Sequence, residues 1–158
     1  LHGRLDDAEA HLLEAIAQSR DTGQQRAQAV SLIRLAALQF GRGKLAAGNA
    51  IIADGIAMAE TGRQMDIVWR ARLTGCAGRD HISDKDAIGQ TIAGALTYAD
   101  YMAIPRLRVQ AQRLRGFHLI KLGDFEGAAR ATASAMAVAA RHGMVLQRIG
   151  LRVQMGRI

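Results

Sequence analysis

Apolar and small residues return along this chain every 40 positions, without a gap. Four segments superimpose, opening at Gly3, Gly43, Ser83 and Gly123. Ala8, Leu12, Ala15 and Ile16 in the first fall at the offsets of Gly48, Ile52, Gly55 and Ile56 in the second, Ile88, Ile92, Ala95 and Leu96 in the third, and Ala128, Thr132, Ala135 and Met136 in the fourth. Steps of four, three and one put each quartet on a single helical stripe. Small residues recur where a neighbouring helix must come close, and larger ones where interhelical space must be filled, so the stripe is a packing face.

Stop signals follow each stripe: Gly23 and Gly143 at equivalent positions, Gly62 one residue early, and Pro105 just past the third. Between each stop and the next start lies a second helical stretch, as in 24–41 with Val30, Ile33, Ala37 and Phe40 along one side. One offset in these stretches holds Ala36, Cys76, Gly116 and Gly156, all small. The pattern predicts eight helices, over 4–21, 24–41, 44–61, 64–78, 85–101, 104–121, 125–142 and 144–156. Each unit is a helical hairpin with a face it cannot bury alone, so units stack and propagate a core through nearest neighbours. The expected fold is all-α, an α-α superhelix of antiparallel helices forming a single repeat domain over 1–158. The loosest joint is 75–84, where two glycines and a polar run weaken the turn; we read it as a hinge and not a domain boundary.

Composition agrees with helix: one proline, 4% aromatics and abundant alanine. At 158 residues, 49% hydrophobic and 22% charged, the chain is long enough to bury a core without disulfides or metal. No apolar run reaches the roughly 18 residues that span a bilayer, so no membrane partner is expected. The lone Cys76 fits a reducing, cytoplasmic compartment. Beginning at Leu1 without a basic-then-apolar leader, the chain reads as a segment of a longer protein.

The turn and following helix resemble the tetratricopeptide repeat. Gly3-Leu5-Ala8-Leu12-Ala15 and Gly123-Phe125-Ala128-Thr132-Ala135 follow that repeat's order of glycine, large residue, small, large, small, and Leu35-Ala36 matches its first-helix signature. The usual repeat is about 34 residues against 40 here. Ser83-Asp84-Lys85 replaces the glycine-aromatic start, and the closing proline is missing except near Pro105. Repeats of this length also look like those of large bacterial regulators, including maltose-regulator-type transcription activators and signalling ATPases. The resemblance implies a docking or effector-sensing segment, with DNA-binding or nucleotide-binding modules elsewhere in the parent protein.

Motifs of catalysis are missing. The sequence has no phosphate loop followed by Lys-Ser/Thr, no dinucleotide fingerprint and no Gly-x-Ser-x-Gly, so no catalytic residue and no cofactor are expected. His81 and Asp84 lie three apart but lack a second His or Cys cluster, so no metal site is expected either. His118 reads as a partly exposed helix histidine, Cys76 as a buried thiol in a helix crossing, Trp69 as a packing anchor, and the six methionines as fillers between helices.

Charge is the one feature above background. The total is +7, but residues 101–158 hold ten Lys and Arg, Arg157 among them, against Asp124 and Glu126, a net +8 that leaves −1 for residues 1–100. Arg106 and Arg113 fall on one face of their helix and Arg108 and Arg115 on nearly the opposite one, so the four cannot share a ligand. The family resemblance implies that the first helix of each hairpin lines a concave groove, with Arg34, Arg70, Gln110, Arg113, Phe117 and Lys121 as candidates to meet a protein or peptide, especially an acidic one. The alternative is polyanion or nucleic-acid binding by the arginine-rich second half, against which the scarcity of aromatics for base stacking counts. Both ends of the array are expected to expose apolar faces, which a second copy or the rest of the parent chain would cover.

Overall fold

In the computed structural model, which describes residues 2–156 with side chains from Arg4 to Gly156, eight α-helices and no strand occur among the described residues. They are α1 (His2–Asp21), α2 (Gln25–Gly41), α3 (Leu45–Thr61), α4 (Met65–Gly75), α5 (Lys85–Tyr101), α6 (Pro105–Lys121), α7 (Phe125–Arg141) and α8 (Val145–Met155). From α2 onward every helix starts 20 residues after the one before, so the 40-residue period of the sequence is two helices long. Arg157 and Ile158 lie outside the described residues.

Six of the turns are built alike. Each leaves three residues between helices, the middle one in the left-handed region: Gly23, Gly43, Arg63, Ala103, Gly123 and Gly143. At each, two backbone bonds tie the turn down, as in Lys44 N–H to Gln39 O (2.9 Å) and Gly43 N–H to Phe40 O (3.0 Å). This is the Schellman closure, which satisfies the last carbonyls of a helix and favours glycine at its left-handed residue. The stop that the sequence places at Gly62 belongs in the structure to Arg63, at φ 53°, because the turn keeps its register rather than following the glycine.

The seventh turn differs. After Gly75 the α4 helix tightens into a 3-10 turn at Cys76–Gly78 and then opens at Arg79 (φ −106°, ψ 154°). The expected helix over 64–78 therefore ends at 75, yet α5 still begins on schedule at Lys85. The long connection arises by unwinding the end of α4 in place, without an insertion. Glycine at 75 and 78 weakens the helix there, and the Asp80 carboxylate takes over, accepting from the Ile82 N–H (2.9 Å) and the Ser83 hydroxyl (2.8 Å). Those bonds, the Ile82 one first, hold Asp80 below the ordinary carboxylate range.

The chain divides inside this stretch into two compact units, Leu1–Arg79 and Asp80–Ile158. In the first, α2 packs against α1, α3 and α4. Its core gathers Ala29, Ile33, Ala36, Ile52, Ile67 and Val68, with Phe40 and Ile56 packed on it. Phe40 sits so close to residues 48 and 78 that a Cβ on either glycine would strike its ring. Arg26 of α2 clamps Asp66 of α4, 40 residues on, through two hydrogen bonds (3.1 and 2.5 Å). The pair raises the guanidinium pKa and lowers the carboxylate's. Arg42, largely covered, reaches back to Asp6 (2.6 Å) and Glu9 (2.5 Å) of α1.

In the second unit α6 packs against α5, α7 and α8. Ile88, Ile92 and Leu107 are buried, and Val109, Ala135, Val138, Ala139 and Leu151 form a cluster closed by Met136 and Met144. All four stripes predicted from the sequence face inward, each with at least one member buried. At the recurring small offset Ala36, Cys76 and Gly116 are buried, while Gly156 is exposed.

Candidate interaction surface

Helix α6 carries three stripes with different tasks. One buries Leu107, Ala111 and His118. Gly116 is where α7 and α8 close in: a Cβ there would fall 2.6 Å from Gln154 Nε2 and 2.7 Å from Thr132 Oγ1. Gln154 Nε2 donates to the carbonyl of Arg113 (3.0 Å), tying α8 onto α6.

A second stripe holds four of the six groove candidates. Gln110, Arg113, Phe117 and Lys121 recur at steps of three and four, hence along one side of the helix. Gln110 is half-buried and the other three are exposed. Phe117 and Lys121 come together, the ammonium 5.5 Å from the ring centroid, a cation–π pair across one turn. The remaining two candidates belong to the first unit, Arg34 exposed on α2 and Arg70 half-buried on α4.

The third stripe, on the far side of α6 from Phe117, faces α7 across a cleft of about 290 Å³ lined by Gln112, Arg115, Leu119, Asp124, Arg130 and Ser134 among others. Gln112 is buried and its Oε1 has no hydrogen-bond partner. The opposed faces of the α6 arginines are thus real: Arg113 lies on the exposed stripe, Arg115 at the cleft, and Arg108 turns back to pair with Asp100.

Behind Phe117 the structure overturns one expectation. His118 is buried (5% exposed), not partly exposed, because His81 covers it from the 79–84 turn, Nδ1 to Nδ1 at 3.0 Å. Phe117 meets the His81 ring edge-on at 5.2 Å. The ring nitrogen that meets His81 is therefore that of a second histidine, 37 positions on. Facing nitrogens this close hold one proton between them, one ring donating and the other accepting. Burial pushes the His118 pKa below the ordinary imidazole value, and a backbone hydrogen bond with Lys85 pulls it partly back. No group of three His, Cys, Asp or Glu that could hold a metal occurs among the described residues.

Cys76 is buried as expected, but in the 3-10 turn, its thiol donating to the Arg72 carbonyl (3.4 Å). Trp69 is half-buried, with the Arg72 guanidinium 5.1 Å from its ring. The methionines divide: Met58, Met136 and Met144 pack against the cores, whereas Met65 and Met102 are exposed.

Among the described residues of 101–156, Arg108 and Arg130 are the cations in ion pairs, with Asp100 and Glu126. Asp124 caps α7 instead, accepting from the Gly127 N–H (2.8 Å). The cations left without an ion pair among the described residues of the second half are consequently Arg106, Arg113, Arg115, Lys121, Arg141, Arg148 and Arg152. Arg157, counted in that sum, lies outside the described residues.

Among the described residues, the apolar face expected at both ends of the helix order is absent from α1. The positions through which α7 meets α6, Gly127, Ala131, Ser134 and Val138, correspond 120 residues earlier to Asp7, His11, Glu14 and Gln18 of α1, all exposed. The first helix is therefore polar on that side, although Leu5 and Leu13 are exposed elsewhere on it. Among the described residues no helix is long and apolar enough to cross a membrane.

No protein-family model, no curated protein and no solved structure matches this chain.

Proposed function

We propose that the chain is a tetratricopeptide-like interaction segment of a larger bacterial regulatory protein, one array over residues 1–158 that docks an acidic peptide or effector and catalyses nothing. The observation that carries the reading is the exposed stripe on α6: a half-open aromatic ring under an ammonium, an unpaired guanidinium one turn away, and an amide at the next. Such a surface offers apolar contact and carboxylate forks side by side, which suits side chains of a peptide better than bulk polyanion. The packing of α2 on α4 and of α6 on α8 supports it, because those are the helices that a tetratricopeptide groove is lined with.

The unpaired arginines favour a second reading, binding of RNA or another polyanion through the second half. One experiment separates the two. A fluorescent peptide alternating glutamate with leucine, and a short single-stranded RNA, are titrated at low and moderate salt. The docking reading expects saturable peptide binding, weakened about tenfold by Phe117→Ala or Arg113→Gln, because truncating a central contact removes more than 1 kcal/mol. RNA binding that collapses with salt and with Arg106, Arg108, Arg113 and Arg115 changed to Gln replaces it with the polyanion reading. Binding of neither refutes both.

A further inference from the structure

Helix α8 buries Leu151 and Gln154 and turns Val145, Leu146, Ile149 and Val153 away from them, at 62, 80, 55 and 57% exposure. Spaced by one, three and four, these aliphatics fall on one side of the helix. A single exposed aliphatic is ordinary, but four on one stripe form a contiguous apolar face.

The rest of the chain shows how such a face is covered. Ile149 and Val153 stand 120 residues after Ala29 and Ile33 of α2, which are 0% and 5% exposed. There α3 lies on top: a Cβ on Gly55 would fall 3.8 Å from Ile33 Cγ1 and 3.9 Å from the Ala29 carbonyl. Ile149 also stands 40 residues after Val109, 2% exposed, which Ala135 and Val138 of α7 close over. At the equivalent offsets the occupant is each time an α-helix, so the α8 stripe has the form of a helix seat.

Charge selects among helices. Arg148 and Arg152 run along one edge of the stripe, neither forms an ion pair, and α8 has no acidic residue. A second copy stacked in the order of the repeat is a poor occupant, because its α1 would set Asp7, His11, Glu14 and Gln18 on the aliphatics.

We propose that Val145, Leu146, Ile149 and Val153 form a docking seat for an amphipathic helix with acidic flanks, supplied by a partner protein. The seat shares no residue with the α6 groove, so either can fail without the other.

The test uses two synthetic helical peptides of about 20 residues, long enough to hold helix on a surface. Both have the same leucine-alanine face at i, i+3, i+4 and i+7, and one is flanked by glutamate, the other by lysine. Each is titrated into the isotope-labelled chain and followed by NMR and by anisotropy. The expected result is saturable binding of the glutamate peptide with shifts centred on α8, at least about tenfold tighter than the lysine peptide. Ile149→Glu and Val153→Glu each weaken it by a similar factor, and Phe117→Ala leaves it unchanged. Both aliphatics are more than half exposed, so these variants keep the fold, which circular dichroism checks. Equal binding of the two peptides, shifts elsewhere, or no binding overturns the proposal. Self-association of the chain that Ile149→Glu abolishes overturns it too, by making a second copy the occupant.

Discussion

One substitution made at two glycines tests the packing of the second unit, because it should carry opposite signs. Gly89 lies inside α5 with no atom within 4 Å of where a Cβ would stand. There alanine gains about 1 kcal/mol, the propensity difference in a helix interior. Gly116 lies inside α6, where the same Cβ would stand 2.6 Å from Gln154 Nε2, 2.7 Å from Thr132 Oγ1 and 3.4 Å from the Ala128 carbonyl. Gln154 can yield only by giving up its bond to the Arg113 carbonyl, a loss of about 1 kcal/mol. Thr132 yields less easily, being fully buried with its hydroxyl donating to Ala128 O (2.8 Å). Overpacking of this kind costs about 1–3 kcal/mol. With the propensity gain set against these losses, Gly116→Ala destabilises by about 1–3 kcal/mol.

Urea unfolding followed by circular dichroism measures both variants against the parent, with the slope of the transition checked for constancy so that midpoint shifts convert to free energy. Amide exchange adds location: Gly116→Ala should loosen α8 before the rest of its unit. If Gly116→Ala is as stable as the parent, the close approach of α6, α7 and α8 at that residue is wrong. Gly89→Ala guards against a general effect of alanine.

Other outcomes follow from the turns and the ring pair. Ala103 occupies the left-handed residue of its turn at φ 51°; Ala103→Gly should stabilise by about 0.5–1 kcal/mol, strain relief less the added freedom of the unfolded chain, and a fall in the urea midpoint refutes it. His118 has its folded pKa depressed by burial, so the unfolded chain takes up the proton first and stability drops as pH falls below about 6.5. The loss should be smaller in His118→Asn, read as urea midpoints between pH 8 and 5; equal slopes refute it. Arg42 joins Asp6 and Glu9 from a largely covered position; a double-mutant cycle of Arg42→Met with Glu9→Gln should return a coupling of about 1 kcal/mol, and a value near zero shows a solvated pair.

Helix positions were legible because the same physics writes them twice. A packing stripe fixes spacing within a helix, and a three-residue Schellman turn fixes the distance to the next. Boundaries at 23, 43, 123 and 143 could be read to within one residue because glycine marks the left-handed position there. At 63 and 103 Arg and Ala hold it, so nothing local announces the turn and the neighbouring Gly62 or Pro105 draws the eye instead. The opposed faces of the α6 arginines were likewise readable from helical periodicity. What they face was not, since an unpaired guanidinium and a paired one, such as Arg113 and Arg108, look the same in sequence.

The histidine pair shows the limit most plainly. His81 and His118 stand 37 residues apart, off the repeat, so the self-similarity that aligns every helix says nothing of them. Their meeting depends on the seventh turn. Had α4 kept the 17-residue length of α2, α3, α5, α6 and α7, residue 81 would have been its last helical position. Gly75 and Gly78 end the helix early, Asp80 stabilises the open backbone, and because α5 still starts at Lys85 the released residues stay in place of the missing helical turn. His81 thus becomes a loop residue able to cover His118, whereas every other turn has only three residues to offer. Burial of His118 is in this sense encoded 38 to 43 residues away, in two glycines and an aspartate whose local meaning is only that a helix stops.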